Sequence, residues 1–267
     1  GEAGRKRRGR AIAEVVHSMA PDLVGQDPFR IEHLWQVMYR GGFFPGGGIQ
    51  SAAVSAVDIA LWDILGKWLE APVHALMGGP CRDQIRLYAN INRISRIPEE
   101  RTPDWFARNA AAAVAAGFDA VKLAPFDGLP RGVDRARDAA QGIACMQAVR
   151  QAIGPQVALL VDCHSHFTIK GALELADALR ALDLFWFEQP VPETDLDACI
   201  QVKKTCGMRV AGGEQRRLRH SWWEVLEREV MDVLMPDVTG VGGIGELKKT
   251  PEMAAAKGVL TAPHGPF

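Results

Sequence analysis

The chain has 267 residues, 48% of them hydrophobic and 24% charged, a composition that excludes disordered, collagen-like and coiled-coil proteins. Its 31 basic and 32 acidic residues nearly cancel, so nothing in the charge suggests a nucleic-acid or anionic-membrane partner, and no apolar run reads as a membrane span. Five cysteines without a Cys-x-x-Cys pair fit reduced thiols, and the N-terminus lacks the order of a signal peptide, so the expected location is the cytoplasm.

Up to about residue 80 the pattern is helical throughout. A basic run from Arg5 to Arg10 leads into the amphipathic pattern Ala11, Val15, Val16, Met19, which starts a solvated helix over about 8–20. A second helix follows Pro28 to about Tyr39, and a third, long and apolar, runs from about Gln50 to Trp68. Between them, Gly41-Gly42-Phe43-Phe44-Pro45-Gly46-Gly47-Gly48 breaks any helix yet carries two phenylalanines. That suits a mobile flap; a plain connector with one ring in the core is the other reading. From residue 81 short apolar runs alternate with helical stretches. Strands are expected at 85–91, 119–124, 157–162, 184–188, 209–213, 231–236 and 258–262, and helices at 103–116, 138–152, 170–182, 194–205 and 244–256. Such alternation means right-handed parallel βαβ units. Seven in a row, with no Gly-x-Gly-x-x-Gly turn, favour an α/β fold of the (β/α) barrel kind over an open doubly wound sheet. The expected organisation is a helical region over 1–80 and a barrel domain over 81–267.

Acidic residues close three consecutive strands, Asp162, Glu188 and Glu214, at 26-residue intervals. Each alone would be ordinary as a loop salt bridge or a helix cap. At the C-terminal rim of a barrel, strand ends lie side by side, and three converging carboxylates repel unless a cation neutralises them. Oxygen donors alone favour Mg²⁺, with Mn²⁺ possible, over Zn²⁺. The series continues with Asp237 and His264. An Asp beside a His orients the ring through Nδ1 and leaves Nε2 free to take a proton, so this pair reads as a general base. On earlier strands the rim offers Lys122, which if inward would bind a carboxylate or move a proton and if outward is a surface lysine. His164 can share the face of Asp162. His166 is a weaker candidate for contact with a substrate.

These residues resemble the enolase superfamily, in its mandelate racemase and muconate lactonizing branch. The matching stretches are AVSAVDIALWDILGKWLEAPVHALMGG, GFDAVKLAPFDG, LLVDCHSHF, FWFEQP, AGGEQ, MPDVTGVGGIGE and TAPHG, nearly the whole chain. The resemblance implies a capping domain with a modified TIM barrel, Asp162, Glu188 and Glu214 as magnesium ligands, and abstraction of the α-proton of a carboxylate substrate through an enediolate. It also implies a homo-oligomer, and gives the flap with Phe43 and Phe44 a role in covering substrate. Where racemase-like members carry Lys-x-Lys, this chain has Lys122 and Ala124, which disfavours a two-base racemisation. Asp162-Cys163-His164 is similar instead to the Asp-x-His of acid-sugar dehydratases such as those acting on galactonate and mannonate. The implied reaction is loss of water from a sugar acid to a 2-keto-3-deoxy acid, with His264 as base and His164 as acid. The alternatives are a racemase or epimerase using His164, His166 or Lys122 as second base, and an inactive member serving as a metal-binding or regulatory protein. The family pattern further implies a β-rich segment before Gly1 and an eighth barrel unit after Phe267, so the sequence reads as part of a longer protein.

Overall fold

The computed structural model of the chain describes residues 1–2, 8–41, 46–92 and 101–265. The flap phenylalanines Phe43 and Phe44 lie outside the described residues. The chain falls into two compact units, one formed by Gly1–Gln84, Gly213–Glu227 and Leu234–Phe267, the other by Ile85–Gly212 and Arg228–Val233. The segment expected as one barrel domain therefore contributes to both.

The second unit is built of strand and helix in alternation: β1 (Ala89–Asn90), α5 (Pro103–Ala115), β2 (Ala120–Leu123), α6 (Ala140–Ile153), β3 (Ala158–Asp162), α7 (Ile169–Leu179), β4 (Leu184–Glu188), α8 (Leu196–Cys206) and β5 (Val210–Gly212). The five strands pair in parallel and in chain order, with Asp162 opposite Glu188. Helix starts follow from short polar caps. Thr102 accepts from Trp105 N ahead of Pro103, Thr168 from Gly171 N, and Asp195 from Ala198 N. Strands β2 and β3 are buried on both faces, as strands covered by helices must be. Leu123, Leu160, Phe187, Phe106 and Leu175 are among the fully buried side chains, each stabilising by about 1.5–3 kcal/mol. The expected strands and helices of this unit are all present, within a few residues of the expected bounds.

The first unit holds α1 (Gly9–Leu23), α2 (Ile31–Arg40), α3 (Gly48–Trp68) and the short α4 (Val73–Leu76), with α9 (Leu218–Glu227), α10 (Ile244–Ala256) and β7 (Leu260–Thr261). The sequence reading did not place α9, whose arginine-rich start hides its apolar face of Leu218, Trp222, Val225 and Leu226. By length and composition α3 could cross a membrane, contrary to the expectation of no such run. A core helix that is apolar all round passes the same test. Here Ala52, Ala53 and Val54 pack with Ile12, Met19, Trp35 and Met38, and Leu61 with Ile31 and Leu34.

Polar groups of α3 and α2 grip the start of α10. Ser55 Oγ accepts from Gly242 N at 2.9 Å, Trp35 Nε1 donates to Gly242 O at 2.8 Å, and Asp58 Oδ2 accepts from Ile244 N at 2.7 Å and Gly245 N at 3.3 Å. Asp58 thus caps a helix that carries no side-chain cap of its own. Gly243 precedes that helix at φ +94°, and a Cβ there would stand 2.3 Å from Asp58 Oδ2. Burial pushes the Asp58 carboxyl up to about 6, against the pull of the two amide donors and Lys249. The last strands close in this unit too, with Ala262 N donating to Leu234 O, the last residue of β6 (Val233–Leu234), and His264 N to Pro236 O at 3.0 Å. Asp237 and His264 form a parallel bridge just beyond.

Candidate active site

Strands β2, β3 and β4 bring Lys122, Asp162 and Glu188 together in the second unit. Lys122 points inward: it is 2% exposed, and its Nζ lies 3.0 and 2.9 Å from the two Glu188 oxygens and 3.5 Å from Asp162 Oδ2. Burial alone would drive off its proton, but the charges of Glu188 and Asp162 outweigh that and hold the ammonium firmly charged. Trp186 Nε1 donates to Glu188 Oε2 at 3.1 Å, and the Tyr88 ring lies 5.3 Å from Nζ. This lysine is committed to neutralising carboxylates, a poor setting for a second base.

Past β3 the chain turns back on itself. His164 and Ser165 have φ of +43° and +59°, a left-handed conformation that non-glycine residues hold only when their surroundings impose it. The turn folds the His164 ring over Asp162: its Nε2 lies 3.2 Å from Asp162 Oδ2, and its backbone N donates to Asp162 Oδ1 at 3.0 Å. On the other side Nδ1 lies 2.5 Å from Asp127 Oδ1. Burial works against the imidazolium, but hydrogen bonds to Asp127 and Asp162 and their charges push His164 up to about 10. Asp162 is held well below the usual carboxylate range, since His164 and Lys122 more than offset its burial. Cys163 between them is buried beside these carboxylates, which raises its thiol well above the ordinary value and makes it inert. His166 is buried, with Nδ1 3.2 Å from Pro130 O and its backbone carbonyl accepting from Val133 N, so its visible contacts anchor the loop after β2. The sequence reading missed Asp127: Asp-Gly after Pro-Phe reads as a bare turn, and only the fold-back of His164 gives it a partner.

In the first unit His264 is clasped by two carboxylates, with Nδ1 2.9 Å from Asp237 Oδ2 and Nε2 2.8 Å from Glu214 Oε2. Asp237 is fixed in turn by Thr239, whose N and Oγ1 donate to Oδ1 at 2.8 and 2.6 Å. Those bonds and His264 lower the Asp237 carboxyl despite its burial. The Nε2 expected to be free thus faces Glu214, one of the three expected metal ligands. Among the described residues no group of three or more acidic, histidine or cysteine side chains is placed to hold a metal ion.

Two family models cover most of the chain: the N-terminal domain of the mandelate racemase / muconate lactonizing enzyme family matches residues 1–78, and the enolase C-terminal domain-like model matches residues 105–267. The chain belongs to the enolase superfamily. Within it, the D-galactonate dehydratase of Ralstonia nicotianae is 36% identical over all of this chain and 68% of its own length. The D-galactarolactone cycloisomerase of Agrobacterium fabrum is 35% identical over 96% of this chain and 65% of its own length. Among solved structures, the 3,6-anhydro-D-galactonate cycloisomerase of Zobellia galactanivorans superposes with a TM-score of 0.87 at 30% identity, over 99% of this chain and 70% of that one. The chain therefore spans about two thirds of the length of these superfamily relatives. Its fold is the TIM-barrel-like α/β type of the superfamily's C-terminal domain, with a capping domain that is present in part. Similarity over the whole of this chain to named D-galactonate dehydratases marks it as an enzyme, and hydro-lyase is the class those relatives carry.

Proposed function

We propose that this chain catalyses loss of water from a sugar acid, giving a 2-keto-3-deoxy acid. The observation that carries the reading is the placement of His164, whose ring is held at the end of β3 with Nδ1 2.5 Å from Asp127 and Nε2 3.2 Å from Asp162. His264, oriented by Asp237, removes the α-proton, and His164 protonates the departing β-hydroxyl. Asp162, Glu188 and Glu214 are the proposed holders of a divalent cation, Mg²⁺ or Mn²⁺. Their chemistry fits a hard ion: all three offer oxygen donors only, and Asp162 and Glu188 stand buried and opposite each other on neighbouring strands. When bound, such an ion supplies positive charge for the substrate carboxylate as negative charge develops on it. Lys122 keeps the two buried carboxylates ionised in the meantime. A homo-oligomer acting on a small carboxylate in the cytoplasm is part of the same proposal.

A second reading is isomerisation, supported by the two cycloisomerases among the relatives. One experiment decides between them: a panel of aldonic and aldaric acids, D-galactonate and its lactone included, incubated with Mg²⁺-loaded protein in D₂O while 2-keto acid, released water equivalents and deuterium at Cα are followed. Dehydration predicts keto acid of lower mass, abolished by His264→Asn. Products of unchanged mass move the assignment to isomerisation, and an inert protein across the panel overturns both.

A further inference from the structure

We infer that Asp127 is the residue that positions His164 for proton delivery, an inference that rests on the dehydration proposed above. A carboxylate at this distance accepts, so the hydrogen on that side sits on Nδ1, and Nε2, which faces Asp162 Oδ2 at 3.2 Å, is the nitrogen that would exchange a proton with substrate. Asp127 is fixed from behind by Arg101, whose Nη1 lies 3.4 Å from Oδ2 and whose Nη2 donates to Ala124 O at 2.5 Å. The left-handed turn that presents the ring is fastened independently, by Ser165 N donating to Gln189 O at 2.7 Å and by Arg131 donating to His164 O.

The setting of His164 repeats that of His264. In each, one aspartate lies against Nδ1, Asp127 or Asp237, and a second carboxylate faces Nε2, Asp162 or Glu214. Two histidines from distant parts of the sequence thus share one arrangement, in which carboxylates at both ring nitrogens fix the ring angle. In the reaction, His264 takes the α-proton, and the electron pair of that C–H bond becomes the Cα–Cβ double bond. The Cβ–O pair departs on oxygen, and the Nε2 proton of His164 completes a water molecule. Asp127 takes no proton in this step; it orients the ring.

The test has two arms. In ¹⁵N-histidine-labelled protein, the Nδ1–H of a ring bonded to a carboxylate gives a downfield proton resonance; the one belonging to His164, identified by its loss in His164→Asn, is expected to vanish in Asp127→Asn and persist in Asp127→Glu. In turnover of the aldonic or aldaric acid used fastest from the panel above, Asp127→Asn is expected to lower keto acid formation by about 100-fold or more, the scale of one general acid. Deuterium exchange at Cα, which needs only His264, should stay within a few-fold, and elimination from the 3-deoxy-3-fluoro analogue should fall far less, because fluoride departs with less help from an acid. Parallel loss of exchange and elimination means that Asp127 is merely structural and overturns the inference, as does unchanged dehydration or a His164 resonance that survives Asp127→Asn. A wild-type protein inert in both reactions overturns the functional reading itself, and this inference with it.

Discussion

Asp58 offers a stability test that needs no substrate. Its carboxyl is neutral far more readily in the folded protein, at about 6, than at its ordinary 3.8, because burial disfavours the anion. The folded chain therefore binds more protons than the unfolded one across this range. The stabilisation is fully present below about pH 4 and is lost as the pH rises through about 6. Between about pH 7.5 and about pH 4.5 the single group should contribute about 2 kcal/mol, at 1.36 kcal/mol per tenfold change in proton affinity. Asp58→Asn keeps an oxygen for Ile244 N and Gly245 N and removes only the titration. Urea unfolding of both proteins at the two pH values should show the wild type gaining about 2 kcal/mol on the variant as the solution is acidified. All other carboxylates titrate in both chains and cancel. Parallel stability curves for the two proteins would refute the assignment of a raised carboxyl to this helix cap.

Lys122→Met should destabilise the protein by about 3–5 kcal/mol in urea melts, since it strands Asp162 and Glu188 as buried anions. Millimolar Mg²⁺ should restore part of the loss if those carboxylates bind it, and none if they do not. Gly243→Ala should lower the melting temperature through a cost of about 1–3 kcal/mol, because a Cβ would meet Asp58 at a backbone angle that suits glycine alone. Gly142→Ala would set a Cβ 2.4 Å from the Phe126 ring, next to Asp127. Keto acid formation should fall there while deuterium exchange continues; equal loss of both would show a general effect on folding.

Asp162 and Glu188 were legible because neighbouring parallel strands set their ends side by side, so equal spacing along the chain becomes adjacency in space. The direction of Lys122 was not, since a lysine in an apolar run can point either way, and only its two carboxylate partners settle it. Asp127 was invisible for another reason: its meaning depends on a left-handed backbone at His164 and Ser165, which no local preference of those residues announces. The pairing of Glu214 with His264 was likewise hidden, because the two were read separately as ligand and base. Of the helices, α5, α7 and α8 begin at Thr or Asp caps where expected, whereas the apolar face of α9 was hidden by its arginine-rich start.

The clasp of Asp58, Ser55 and Trp35 on the start of α10 joins residues 186 to 207 apart in sequence. During synthesis those three polar groups leave the ribosome long before their partners exist. At about 5–20 residues per second the interval is on the order of ten to forty seconds, during which the apolar helix α3 has nothing to bury its gripping face. The early chain should therefore depend on chaperones until Gly242, Ile244 and Gly245 emerge, and a stalled chain ending before them should be cleaved far faster than one that includes them.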